Sequence, residues 1–578
     1  MRGTEDALYD AMTIVRGAIS RKGIAAVVSL DIEGAFDNAW WPAILNELHN
    51  LGLDKSTLSL MHSYLDDRTV YLKYAGVDIR KETNKGCVQG SALGPLLWNV
   101  LLNPLLDMAE KLEAHVQAFA DDILVIATGK TGHEVETRAN TALEAISKWG
   151  TLNKLRFAPH KTQAMIITKK LKYETPQIRI EGREVTITGD IRVLGLTIDR
   201  NLNFNKHLDE LSMKTAQIFN MVARAARANW GLNTEILRTL YLAVIEPIML
   251  YASSVIKDST KLKGNQVRLN KITRKFALKI CKAHRTTSLT SATILSGILP
   301  LDLRIREQAK IYEVKRGGPL AELPGRKVEK RLSPYLLPHP AERKQTNFGL
   351  IATEDELASL APSDTVIYTD GSKIEGKVGA AFSAWRGGRE ESYKFFRLES
   401  YCSVYQAELI AILRALQTHS NSRHNTCLAI LSDSRSSLES LRQTAPQNPI
   451  VAEIKHNLEE LQKKGTNVKL HWIKAHVGFE GNERADELAK HAALKDKRVP
   501  VYDKFPLSYA KRSTREQSIE EWQLRYSEAT TGSGTKLFFD DCREAHKVVV
   551  GMAMSNIKAQ LLTGHGGTKQ YLHRFKLA

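Results

Sequence analysis

Two aspartates stand side by side in Phe119-Ala120-Asp121-Asp122, with apolar residues before them (Val116, Ala118) and after them (Ile123-Leu124-Val125-Ile126). The pattern reads as two short strands joined at an Asp-Asp tip. Carboxylates set together on apolar walls repel each other, and desolvation adds to the cost. A bound divalent cation removes both penalties, because hard Mg²⁺ prefers oxygen ligands. A third aspartate, Asp31, closes the buried-type run Ala25–Leu30, and a carboxylate at a strand end is well placed to face a cleft. A further acidic series follows: Asp370, Glu408, Asp433 and Asp486. Each of these alone could be surface decoration.

The elements that must position these groups are legible around them. Leu8, Met12 and Val15 recur at helical spacing and predict a helix over 5–20. A strand over 25–31 is followed by Gly34-Ala35-Phe36-Asp37, then by a helix with Pro42 in its first turn that stops at Gly52. The glycines of Gly86-Cys87-Val88-Gln89-Gly90-Ser91-Ala92-Leu93-Gly94-Pro95 allow close approach of a nucleotide or a backbone. Gln89 can both donate and accept hydrogen bonds. From Asn205 the pattern turns helical, with a basic face suited to phosphates. Residues 315–345 are rich in Pro, Gly, Lys and Arg and read as a linker. Beyond it, strands at 365–370, 379–382, 428–431 and 468–473 alternate with helices over 403–418 and 483–493. Ser403 serves as N-cap. That alternation predicts a mixed sheet with helices packed on it.

Length and composition bound the rest. A chain of 578 residues suggests several domains, and 43% hydrophobic content is ordinary for globular protein. The net charge of +18 suits a polyanion, nucleic acid first. Five scattered cysteines, with no CxxC or Cys/His cluster, argue against a zinc site or a disulfide framework and for a reducing compartment. The N-terminus is too polar for a signal peptide, and the apolar run from Tyr241 to Ile256 is broken by Glu246-Pro247, so no membrane span is expected.

Asp31 with Phe36, Gln89-Gly90-Ser91 with Gly94-Pro95, and Phe119-Ala120-Asp121-Asp122, in that order, resemble the palm motifs of reverse transcriptases, of non-LTR retrotransposons in particular. Ala158-Pro159-His160-Lys161-Thr162 resembles the lysine motif that follows, and Val193–Ile198 resembles the hairpin that holds the primer end. The resemblance implies that Asp31 and Asp121, with Asp122 assisting, bind two Mg²⁺ for in-line attack of a primer 3′-hydroxyl on a dNTP. It places Phe36 against the sugar 2′ position and Gln89 with Gly90 at the nucleotide or template. Lys161 would protonate or neutralise the leaving pyrophosphate.

Thr-Asp-Gly-Ser at 369–372, Ala-Glu-Leu at 407–409, Ser-Asp-Ser at 432–434, and His476 with Asn482 and Asp486 resemble type 1 ribonuclease H. The resemblance implies that Asp370, Glu408, Asp433 and Asp486 hold two Mg²⁺ (Mn²⁺ being an alternative), that Asn482 contacts substrate, and that His476 shuttles protons or assists product release.

The fold class expected is therefore α/β and α+β multidomain: a reverse-transcriptase palm with a helical thumb, then a ribonuclease H-like mixed five-stranded sheet with helices. The expected divisions are palm with partial fingers at 1–200, thumb and connection at 201–314, linker at 315–361, ribonuclease H at 362–497 and a basic tail at 498–578. The opening Arg2-Gly3-Thr4-Glu5-Asp6 resembles the middle of the fingers region, so a Pol protein truncated at both ends is expected. The expected partners are an RNA template, a DNA primer, RNA–DNA hybrid and dNTPs, with no membrane. The expected location is intracellular, nuclear with a cytoplasmic ribonucleoprotein stage. Two alternatives stand beside the polymerase–nuclease reading. One keeps only the ribonuclease H active, with the palm as a nucleic-acid-binding scaffold. The other is a non-catalytic nucleic-acid-binding remnant.

Overall fold

The computed structural model describes residues 3–158, 160–226, 230–358, 365–420, 427–475, 478–567, 569–574 and 576. The chain divides into two compact units. Residues 1–309 and 519–578 form the first, and residues 310–518 form the second.

The first unit is built on Ile24–Asp31, whose nearly unbroken apolar sequence makes it a strand buried on both faces. It is flanked by Asp122–Gly129 and Gln163–Thr168, and His115–Phe119 completes an antiparallel sheet of four. Side chains alternate across a strand, so the two faces feed two cores. Ala26, Val28 and Leu30 pack with Ile44, Leu101 and Ile146, which come from helices Trp41–Asn50, Gly94–Ala109 and Gly132–Leu152. Ala25 and Val27 pack on the other side with Leu8, Met12 and Val15 of the helix Thr4–Ser20. The helical spacing of those three residues is thus explained by one buried stripe.

Helices continue from Asn205, but the apolar run 241–256 is not one regular helix. Tyr241–Ile245 forms a π-helical turn just ahead of Glu246–Leu250. Pro247 lacks an N–H and its ring crowds the preceding turn, which the wider turn accommodates. Among the described residues no single helix is long and apolar enough to cross a membrane.

The basic C-terminal segment is not a loose extension of the first unit. Trp522, Tyr526, Cys542 and Ala545 share a core with Ile294, Leu299 and Leu303. Val549, Met554 and Ala559 do the same with Cys281 and Leu295. Charged pairs rim this seam, with Arg306 bidentate on Glu521 at 2.8 and 2.6 Å and Arg525 on Asp302 at 2.7 Å.

The second unit holds a mixed sheet of six strands, one more than the five expected. Their order is Phe348–Ile351, Asn467–Ile473, Cys427–Ser432, Thr365–Ile374, Lys377–Arg386 and Arg389–Leu398. The first three pairings are parallel and the last two antiparallel. The extra strand is Phe348–Ile351, four residues at the edge, too short to stand out beside a Pro- and Lys-rich stretch. Helices Val404–Thr418 and Pro449–Lys463 cover one face, and Glu480–Leu494 covers the other. The segment expected as linker also takes part. Leu320 and Val328 are buried, and Val328 bridges to Phe505. A few single apolar residues suffice to dock a chain whose composition reads as solvated.

Candidate functional sites

The hairpin in the first unit turns one residue earlier than expected. Phe119 pairs with Asp122, so the tip is Ala120-Asp121, and Asp122 already belongs to the strand. Ala120 sits at φ +54°, a left-handed conformation unfavourable for a residue with a Cβ. The indole of Trp98 donates to the Ala120 carbonyl at 2.7 Å and holds the tip there. Across the sheet Asp122 lies in register with Asp31, and opposed side chains in such a pair share a face. Burial, then the charges of Asp121 and Asp31, push the Asp122 carboxyl above its ordinary range. Lys161 donates to Asp31 Oδ2 at 3.0 Å, from a loop anchored by the buried Thr162 on the Ala158 carbonyl. Pro159 of that motif lies outside the described residues.

The residues expected around the nucleotide lie nearby. Phe36 stacks on Trp98, ring centres 5.6 Å apart. Gln89 Nε2 lies 3.5 Å from Asp37 Oδ1. Gly90 adopts φ +82° with open space where a Cβ would be. Ser91 closes the turn by donating to the Val88 carbonyl and accepting from the Gly94 amide, both at 2.8 Å.

The second unit gathers its carboxylates more tightly. Oxygens of Asp370, Glu408 and Asp433 all lie within 4.8 Å of one another. Among the described residues no other trio of acidic, His or Cys side chains does so, and the pair Asp31–Asp122 with Asp121 is therefore more open. Asp370 comes from the central strand, Asp433 follows the neighbouring parallel strand, and Glu408 comes from the second turn of the helix capped by Ser403. That cap is reciprocal, Ser403 Oγ accepting from the Gln406 amide and Gln406 Oε1 from the Ser403 amide. Gly371 permits the convergence, since a Cβ there would lie 2.5 Å from the Glu408 nitrogen. Burial, then the charges of Asp433 and Asp486, push the Asp370 carboxyl up to about 7. Burial, then Asp370 and Asp433, raise Glu408 well above its usual value. Glu408 Oε2 is buried with no hydrogen-bond partner.

Asp486 stands outside the trio but its charge reaches Asp370 and Glu408, and Lys490 donates to it at 2.7 Å. Asn482, from the same helix, lies with Nδ2 3.5 Å from Asp433 Oδ2. His476 falls outside the described residues. Two supporting residues escaped the sequence reading. Trp472 donates its indole N–H to the Asp433 carbonyl at 2.9 Å, for which the sequence carried no signal. Lys490 could have been found from its four-residue offset to Asp486 on one helix.

The family described as Reverse transcriptase (RNA-dependent DNA polymerase) matches residues 1–198, and the family described as RNase H matches residues 362–494. The chain is 29% identical over 317 residues to a 115 kDa protein in type-1 retrotransposable element R1DM of Drosophila melanogaster, covering 54% of this chain and 30% of the relative. It is 26% identical over 291 residues to a retrovirus-related Pol polyprotein from type-1 retrotransposable element R1 of Bradysia coprophila, covering 50% and 29%. It is 24% identical over 278 residues to an RNA-directed DNA polymerase from mobile element jockey of Drosophila melanogaster, covering 46% and 30%. The aligned part is thus about a third of each of these relatives' own length.

Proposed function

From a chain that carries a reverse transcriptase domain and a ribonuclease H domain, and whose homologues are Pol proteins of R1 and jockey non-LTR retrotransposons, we infer two activities: RNA-directed DNA synthesis and cleavage of the RNA strand of an RNA–DNA hybrid. The observation that carries this reading is the convergence of Asp370, Glu408 and Asp433. Two buried acids with raised proton affinity, one of them with an orphaned oxygen, and the half-buried Asp433 beside them form a donor set that fits a hard divalent cation. Asp370, Glu408, Asp433 and Asp486 would hold Mg²⁺ there, and Asp31, Asp121 and Asp122 would hold it in the first unit. Bound Mg²⁺ supplies Lewis acidity toward the attacking and leaving oxygens of a phosphoryl transfer.

The chain's own residues do the rest. Asn482 orients the Asp433 carboxylate, and Trp472 fixes its backbone. Lys490 steadies Asp486 and limits its repulsion of the trio. In the first unit, Trp98 holds both the hairpin tip and the Phe36 ring, so nucleotide selection at the sugar and placement of Asp121 share one support. Lys161 neutralises Asp31 until substrate arrives and then faces the departing pyrophosphate. Gln89 and Gly90 border the nucleotide.

A labelled RNA–DNA hybrid incubated with the full chain tests the reading. Cleavage of the RNA strand in Mg²⁺, lost in EDTA and in Asp370→Asn, is the expected result. Cleavage that survives either change contradicts it. The open arrangement of Asp31, Asp121 and Asp122, with Asp31 paired to Lys161, favours a second reading in which only the ribonuclease is active. Primer extension on a primed RNA template separates the two.

A further inference from the structure

We propose that a basic groove on the second unit, walled by residues 328–331 and 506–511, binds single-stranded nucleic acid. It encloses about 810 Å³ and is lined by Lys315, Lys330, Arg331 and Lys511. All four are exposed, and among the described residues none is paired with a carboxylate. The one acid lining the groove is Glu329, and its oxygens are already engaged by neutral donors. Glu329 accepts from Gln406 at 2.6 Å, Asn448 at 2.9 Å and Tyr502 at 2.6 Å. The groove therefore presents four cations against one carboxylate in a concavity, where the excess focuses a positive field.

These are not lysines scattered on a mobile surface. Val328 is bridged to Phe505, the Leu332 amide donates to the Gln447 carbonyl at 2.8 Å, and the Lys455 ammonium donates to the carbonyls of Lys344, Leu441 and Gln443. Segments from outside the six-stranded core are thus pinned where their charges converge. The lining also offers the apolar Pro449, Pro506 and Leu507. Cations and apolar side chains lining one concavity suit phosphates and unpaired bases together. A duplex keeps its bases stacked inside and offers the apolar lining nothing to contact.

The groove is formed apart from the Asp370 cluster and does not require that the cluster cleave. The test uses the full chain, a fluorescein-labelled oligouridylate and anisotropy over a range of salt. Replacing all four cations, as K315A/K330A/R331A/K511A, is expected to lower the log–log salt slope by about 2–3, from about 0.7 per lost phosphate contact on a single strand. That slope change corresponds to a roughly 50-fold smaller loss of affinity between about 50 and 200 mM salt for four contacts. The control K377A/K469A, on exposed lysines of the same unit outside the groove, should leave the slope unchanged. Wild-type amide-exchange protection of Thr365–Ile374 and Cys427–Ser432 in the quadruple variant shows that its fold is intact. A quadruple variant with the wild-type slope overturns the proposal. An equal slope change on a blunt duplex overturns the single-strand assignment. Displacement of the oligouridylate from wild type, but not from the quadruple variant, by polyglutamate at equal charge would assign the groove to an acidic protein instead.

Discussion

Asp370→Asn should make the second unit more stable while abolishing its cleavage. Asp370 is 7% exposed, so solvent screens it little. In the folded protein its carboxyl ionises near pH 7, against 3.8 as the ordinary value. Between about pH 4 and pH 7 the folded chain therefore keeps a proton that the unfolded chain has lost, and stability falls as pH rises through that window. The loss reaches about 4 kcal/mol above pH 7, with about 2 kcal/mol of it already present at pH 5. Asparagine has the same shape and cannot ionise. In EDTA the variant should gain about 4 kcal/mol over wild type at pH 8 and about half that at pH 5, with Glu408 adding to the trend in the same direction. The assay is amide hydrogen exchange on the full chain, reading strands Thr365–Ile374 and Cys427–Ser432 and correcting for intrinsic rates. Mg²⁺ should then raise protection in wild type and much less in the variant. Equal protection of the two proteins at pH 8, or a larger gain at pH 5 than at pH 8, would refute the electrostatic account of this cluster.

Asp121→Asn should reduce primer extension on an RNA template by at least about 100-fold, because a ligand to a transition-state charge contributes several kcal/mol; extension at wild-type rate would exclude Asp121 from that role. Gly371→Ala should destabilise the second unit by about 1–3 kcal/mol, since the added Cβ meets the Glu408 nitrogen at 2.5 Å, and urea titration of the full chain measures it. Trp522→Ala should destabilise the first unit by about 3–5 kcal/mol, although residue 522 lies more than two hundred positions beyond residue 309, and exchange protection over Leu289–Ser296 reports the loss.

The sequence was informative where a local rule coincided with a tertiary need. Ser403 announced the helix that carries Glu408, and the apolar runs leading to Asp31 and Asp370 announced strands, although the second continues past Asp370 to Ile374. It was silent where the cause is non-local. Nothing near Ala120 says that an indole from residue 98 will hold it in a left-handed turn. Phe348–Ile351 becomes a strand only because Asn467–Ile473 offers it an edge. Lys161 reads as one exposed lysine among many until Asp31, 130 positions earlier, is seen beside it. Gly371 was read as part of a motif, but its necessity is steric and belongs to the helix above it.

The seam between residues 281–303 and 522–559 also orders events during synthesis. A nascent chain emerges from its N-terminus, and domains ordinarily fold in that order. Here Cys281, Leu295 and Leu299 leave the ribosome long before Trp522 and Val549 exist to cover them. The ribonuclease H unit, continuous over 310–518, is complete in the interval. The later unit in sequence can therefore fold first, while the earlier one waits with apolar helices uncovered. A ribosome stalled between residues 310 and 520 would display that surface to chaperones and to other nascent chains, and termination just after residue 518 would release a protein with a complete second unit and an unfinished first one.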